Sequence, residues 1–148
     1  MVIINDIAAY LVDNGIGSLG KDLFITGIPD DSIAASVPDA VVGLTMTGGS
    51  GSSMAERTRR VTIQIVVRSG RSGKSGATET DHTNAMAKAD EIRHLLHADD
   101  ESLATNLVMN KNIVVMTTRA IQEPFDLVKD NKGRYLIDAN YELLVVNS

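Results

Sequence analysis

Residues 122–146 read QEPFDLVKDNKGRYLIDANYELLVV, and this stretch decides the fold. From Tyr135 the odd positions are Tyr135, Ile137, Ala139, Tyr141, Leu143 and Val145, with Asp138, Asn140 and Glu142 falling between them. A period of two belongs to a strand with one buried and one wet face. Phe125, Leu127 and Lys129 alternate in the same way ahead of it, and Asp130-Asn131-Lys132-Gly133 links the two runs. Asp starts a type I turn by accepting backbone bonds, and Gly takes the left-handed residue that closes a hairpin. Pro124 has no N–H to donate, so it belongs at a strand's beginning or on an edge. The stretch therefore predicts a long antiparallel hairpin.

Outward from the hairpin, the earlier segments supply elements to pack against it. Val61, Ile63, Ile65 and Val67 line one face of a strand over Arg59 to Arg68, opposite Thr62 and Gln64. Ala40, Val42, Leu44 and Met46 mark another strand with one apolar face, and Leu23 to Thr26 a shorter one closed by Gly27 to Asp31. Ile113 to Ile121 is strand-like and leads into the hairpin; Leu103 to Val108 is either a short strand or an irregular crossing. Two segments carry helical periodicity. Ile4, Ile7, Ala8 and Leu11 define a first helix, with Asn5 or Asp6 available to cap its start and Asn14-Gly15 to end it. Ala85, Ala89, Ile92 and Leu96 form a stripe in a second helix over Thr83 to His97. Between these elements lie two loops expected to be flexible, Thr47 to Ser53 and Ser69 to Glu79.

These stripes are all buried at once by an α+β domain of two layers, a mainly antiparallel sheet with both helices packed on one face. The 148 residues suit one such domain, residues 1–148. Aromatic content of 3% means an aliphatic core. Apolar runs fall far short of a membrane span, and no membrane partner is expected. The start lacks a basic region, so no secretory signal is expected there. A net charge of −5 argues against a protein whose main task is holding nucleic acid, and the absence of Cys excludes disulfides, thiolate metal sites and thiol catalysis.

Arg68-Ser69-Gly70-Arg71-Ser72-Gly73-Lys74-Ser75 ends like a phosphate-binding loop and follows a strand, but Arg68 stands where the first glycine belongs. The helical pattern also begins near Thr83, too far on for its amides to face a phosphate held by Lys74 and Ser75. The three cations Arg68, Arg71 and Lys74 instead suit a basic loop that orders against an acidic partner, or one that is simply solvated. His94 and His97, with Asp99, Asp100, His82 and Glu91 nearby, have partial metal-ligand spacing, yet late helical histidines equally suit the negative end of a helix. No metal, cofactor or catalytic group is expected. The serines concentrate in Gly-rich loops, which give a nucleophile no rigid frame.

The pieces together resemble the tail terminator proteins of long-tailed bacteriophages, also labelled minor capsid or tail completion proteins. The likeness is carried by Asp6-Ile7-Ala8-Ala9-Tyr10-Leu11, Asp22-Leu23-Phe24, the strand from Arg60 to Arg68, and the helix from Ala87 to His97. It continues through Pro124-Phe125 and Asn131-Lys132-Gly133-Arg134-Tyr135, so that nearly the whole chain takes part. Each motif alone is a generic helix, strand or turn; their order and spacing make the resemblance.

That resemblance implies a structural protein, not an enzyme, synthesised in the host bacterial cytoplasm and placed at the virion head-tail junction. It implies a homo-oligomeric ring, commonly a hexamer, that caps the head-proximal end of the tail tube, stops polymerisation and offers a surface to the head-completion or neck protein. DNA would pass through the lumen without specific binding. The interface candidates are Arg68, Arg71 and Lys74 in the loop and Asp138, Asn140 and Glu142 on the polar sheet face. Two other readings stay open: a sibling neck or head-completion connector, and a small nucleotide- or metal-binding enzyme.

Overall fold

A computed structural model describes residues 3–29, 37–48, 58–96, 107–110, 113–120 and 124–147. Helix α1 (Ile3–Asp13) is followed by β1 (Leu23–Ile25), β2 (Val41–Gly48), β3 (Thr58–Arg68) and α2 (Glu79–Leu96). Four strands complete the chain: β4 (Leu107–Asn110), β5 (Ile113–Ala120), β6 (Phe125–Lys129) and β7 (Tyr135–Asn147). All seven strands form one sheet in the order β1-β2-β3-β7-β5-β4, with β6 also on β7. Every pairing is antiparallel except β1 with β2. The α+β class with a mainly antiparallel sheet is thus the observed one. Four strands follow α2 where about three were expected, because residues 107–110 pair with β5.

Strand β7 is the organising element. On one side it pairs with β3 over eleven registered positions, from Thr58↔Val146 to Arg68↔Leu136. Its other side is shared end to end: β6 pairs with Tyr135–Asp138 and β5 with Tyr141–Asn147. The register places Val61, Ile63, Ile65 and Val67 opposite Leu143, Tyr141, Ala139 and Ile137, and all eight are at most 4% exposed. A slip of one residue would turn both rows to the outer face, so burial itself fixes the pairing.

Both helices cover this apolar face. α1 lies against β1, β2 and β4, and α2 crosses β3, β7 and β5. The expected stripes are the buried ones: Ile4, Ile7, Ala8 and Leu11 from α1, Ala85, Ala89, Ile92 and Leu96 from α2. Tyr10 joins the two helices, its hydroxyl donating to the Leu95 carbonyl at 3.4 Å. At the end of α1 the Gly15 amide donates to Val12 O and the Ile16 amide to Leu11 O, while Gly15 takes φ +80°. Ile16 packs into the core beside Leu11, completing a Schellman closure.

Several boundaries differ from expectation for physical reasons. Asn5 and Asp6 lie inside α1, not ahead of it; Asp6 in the first turn still complements the amide end of the helix. Met46 shares the period of Val42 and Leu44 but is 41% exposed: β1 pairs with Val42–Leu44 and ends there, so among the described residues no strand pairs with Met46 on that side. Gly43, on the other face, is covered closely: a Cβ there would sit 2.8 Å from the Ile28 side chain. Helix α2 begins at Glu79, four residues before the expected Thr83. The expected loop at 49–53, the closing residues Asp30 and Asp31, the stretch 98–106 and the side chains of Phe125, Leu127 and Val145 lie outside the described residues.

Candidate functional site

The hairpin turn builds one corner of the molecule. Asp130 Oδ1 accepts the amides of Lys132 and Arg134, each at 2.9 Å, and the Gly133 amide donates to Asp130 O at 3.0 Å. Gly133 takes φ +75°, the left-handed residue expected of it. Asp130 Oδ2 also accepts from Arg134 Nε at 2.7 Å. Partial burial pushes the Asp130 carboxyl up, but the Arg134 and Lys132 bonds and the Arg134 charge outweigh it and hold the group below its ordinary value.

The segment Ser69 to Glu79 docks against this turn along a defined course. The Ser69 amide donates to Tyr135 O at 2.9 Å and its hydroxyl accepts the Tyr135 amide at 2.8 Å, extending the ladder beyond Arg68. Further on, the Ala77 amide donates to Gly133 O at 2.9 Å, and Gly73 and Gly76 close a tight turn between these anchors. The far end of the loop is fixed by Asp81. Its Oδ2 accepts the amide and hydroxyl of Ser72, both at 2.8 Å, and the amide and hydroxyl of Thr78, at 2.8 and 3.1 Å. The Asp81 amide in turn donates to Thr78 Oγ1 at 3.3 Å, which makes Thr78 and Asp81 a capping box for α2. The Ser72 amide first, with the Thr78 amide and the Ser72 hydroxyl, draws the Asp81 carboxyl down from 3.8 to about 2.

This arrangement bears on the phosphate-loop reading. Gly73-Lys74-Ser75 lies at the turn, and α2 starts only at Glu79. The amide donors of Ser72 and Thr78 already hold a carboxylate. The loop therefore wraps an anion of its own chain.

Three arginines converge on Asp39. Arg68, 4% exposed, donates from Nε to Asp39 O at 2.7 Å and from Nη2 to Pro38 O at 3.0 Å. Arg134, 2% exposed, reaches Asp39 Oδ1 at 3.0 Å, and Arg71 Nε reaches Asp39 Oδ2 at 3.2 Å. Segment 37–40, the end of β3, the 70–78 loop and the hairpin turn are thereby locked together. Of the loop cations, Arg68 faces inward, Arg71 is half-open beside Asp39, and Lys74 is exposed. Lys129 lies with Nζ 4.7 Å from the Tyr135 ring centroid, and His82 meets the same ring edge-on. Arg71, Lys74, Lys129 and Lys132, with Asp39 and Asp130, line an open depression of about 790 Å³.

On the outer face of the sheet, Arg60 and Glu142 pair at 2.9 Å and Gln64 Nε2 donates to Asp138 Oδ2 at 2.9 Å. Asn140 and Glu142 are half-buried; Asp138 is 3% exposed, a position expected to be wet. Its register explains the burial, since β7 has β3 on one side of Asp138 and β6 on the other. Among the described residues no group of three or more His, Asp or Glu is gathered as metal ligands; His97, Asp99 and Asp100 lie outside them.

Sequence reasoning passed over Asp39, Arg134 and Asp81. Asp81 was accessible through the Thr78-x-x-Asp81 spacing, while the Asp39–Arg134 contact spans 95 residues and leaves no local signal.

A search of curated proteins found no match. Among solved structures, a chain in the "Virion of native gene transfer agent (GTA) particle" superposes with a TM-score of 0.52 at 14% identity, covering 94% of this chain and 83% of that one. That likeness concerns the fold. The sequence model of the bacteriophage tail terminator protein family matches residues 10–147, and the chain belongs to that family.

Proposed function

We propose that this phage structural tail protein forms a hexameric ring on the head-proximal end of the tail tube, where it stops tube polymerisation and presents a surface to the head-completion or neck protein. The observation that carries the reading is the family match, which runs from Tyr10 near the end of α1 through all of α2 and the entire sheet. Two features of the fold support it. The outer sheet face carries Arg60, Gln64, Asn140 and Glu142 and lies opposite both helices, a broad polar surface suited to a neighbouring subunit. The corner around Lys74 and Lys132 projects from the opposite end of β7 to Asn147, so one subunit presents separate surfaces to different partners. DNA passes through the lumen without specific contacts.

A phage lacking the gene tests this. Tubes longer than the normal length, or tails that fail to join heads, are expected, with wild-type length and joining restored by the gene in trans. Normal tails in its absence would refute the reading. Heads that lose DNA while tails stay normal would favour the neck-protein alternative.

A further inference from the structure

Among the described residues, β1, β2 beyond Leu44, β4 and β6 each have an edge that no strand of the sheet pairs. Open edges are templates for another chain, and proteins blunt them with charge, proline or cover. The turn ahead of β1 covers its edge: the Leu23 amide donates to Ser18 O at 3.2 Å and the Gly20 amide to Leu23 O at 2.8 Å. β6 follows Pro124 and includes Asp126 and Lys129 in its sequence. The other two have neither guard, since Thr45-Met46-Thr47-Gly48 and Leu107-Val108-Met109-Asn110 contain no charged residue and no proline.

The β2 edge is kept open against backbone strain. The Val42 amide donates to Asp22 O and Leu44 O accepts the Gly27 amide, so alternate residues of β2 turn their backbone groups toward β1. Met46 is next in that series, and β1 would reach it by running straight on past Ile25. Instead Thr26 takes φ +72° and Gly27 φ +97°, which turn the chain out of the sheet. A left-handed φ is strained for a β-branched residue, and such strain collects at functional segments. Helix α1 already packs on β2 and β4, so their backbone edges are what these strands still offer.

We infer that the Met46 edge of β2 in one copy pairs with β4 of the next. This rests on the ring reading and names a contact between neighbouring subunits. A ring needs a heterologous interface, two unlike complementary surfaces on every subunit. Two unguarded edges near opposite ends of the strand order have that relation, because the outward amides and carbonyls of one edge are satisfied by those of another. A bulge interrupts each strand, between Met46 and Gly48 and between Val108 and Asn110, which limits the pairing to a short bridge. The Met46 side chain, 41% exposed, is covered when that bridge forms.

The test mixes purified protein with tail tubes and counts capped ends by electron microscopy, with circular dichroism confirming the fold of each variant. Met46→Pro removes the outward amide and no ladder bond to β3, so it is expected to fold and to cap about tenfold fewer ends than wild type. Met46→Ala keeps the amide and is expected to cap like wild type. Normal capping by Met46→Pro, or an equal loss in both variants, would overturn the strand pairing. The chain has no cysteine, so Met46→Cys combined in turn with Leu107→Cys, Val108→Cys, Met109→Cys or Asn110→Cys reads the contact directly and without proline. A disulfide needs Cα atoms within about 7 Å, so at least one of these pairs is expected to link subunits into multimers on a non-reducing gel once capped tubes are oxidised. Capped tubes that yield no linked subunits from any pair would overturn the inference while leaving the ring intact. If wild type caps no tubes, the ring reading itself fails, and this contact with it.

Discussion

Gly76 and Gly133 meet backbone to backbone: a Cβ on Gly76 would lie 3.0 Å from both Cα and the carbonyl oxygen of Gly133. Gly76 also sits at φ +137°, where L side chains are strained. With the Ala77–Gly133 and Ser69–Tyr135 hydrogen bonds, this approach joins the β3–α2 loop to the hairpin turn. Gly76→Ala is expected to destabilise the fold by about 1–3 kcal/mol, read as a lower urea midpoint, and an unchanged midpoint would contradict the packing described.

Asp130 both shapes the turn and partners the buried Arg134. Asp130→Ala removes one of the two carboxylates beside the buried Arg134, Asp39 being the other, together with the turn's acceptor, and is expected to cost about 3 kcal/mol. Arg134→Met, which removes the charge and keeps the aliphatic stem, should cost less. Equal losses in thermal unfolding would show that the ion pair dominates and that the turn's amide bonds to Asp130 add little.

How much of this was legible in the sequence follows from the range of each interaction. The β3 and β7 stripes and both helical stripes were visible because a strand or helix repeats its own period locally, and the hairpin turn because Asp130 and Gly133 bond within four residues. The start of α2 was read late because Glu79 to Asn84 contains no apolar residue to carry a period; only the cap marks it. Met46 misled because exposure at a sheet edge depends on the length of β1, a neighbouring strand. The Asp39 cluster was invisible because Asp39 and its arginines come from three separate segments, around residues 39, 68–71 and 134.

Asp81 gives the stability a defined acid dependence. Its carboxyl is drawn from 3.8 down to about 2 in the fold, so the folded state favours the ionised form. That contribution is fully present above about pH 4 and fades as pH falls through about 2. The stability gap between wild type and Asp81→Asn should therefore be widest near pH 6 and close toward pH 2 in urea titrations; a gap independent of pH would contradict the role given to the carboxylate.

Arg60 and Glu142 form an exposed pair, with Arg60 59% open, and such pairs contribute under about 1 kcal/mol. Glu142→Lys is expected to leave the melting temperature of the isolated protein nearly unchanged while reducing association with tubes. A large stability loss would mean that the outer face is a structural surface first.

The central claim is that the protein caps tail tubes as a ring. Purified protein added to polymerising tube protein, followed by electron microscopy, measures it directly. The account predicts a six-fold ring at one end of each tube and arrested elongation. Bare ends with continued growth at saturating protein would contradict it.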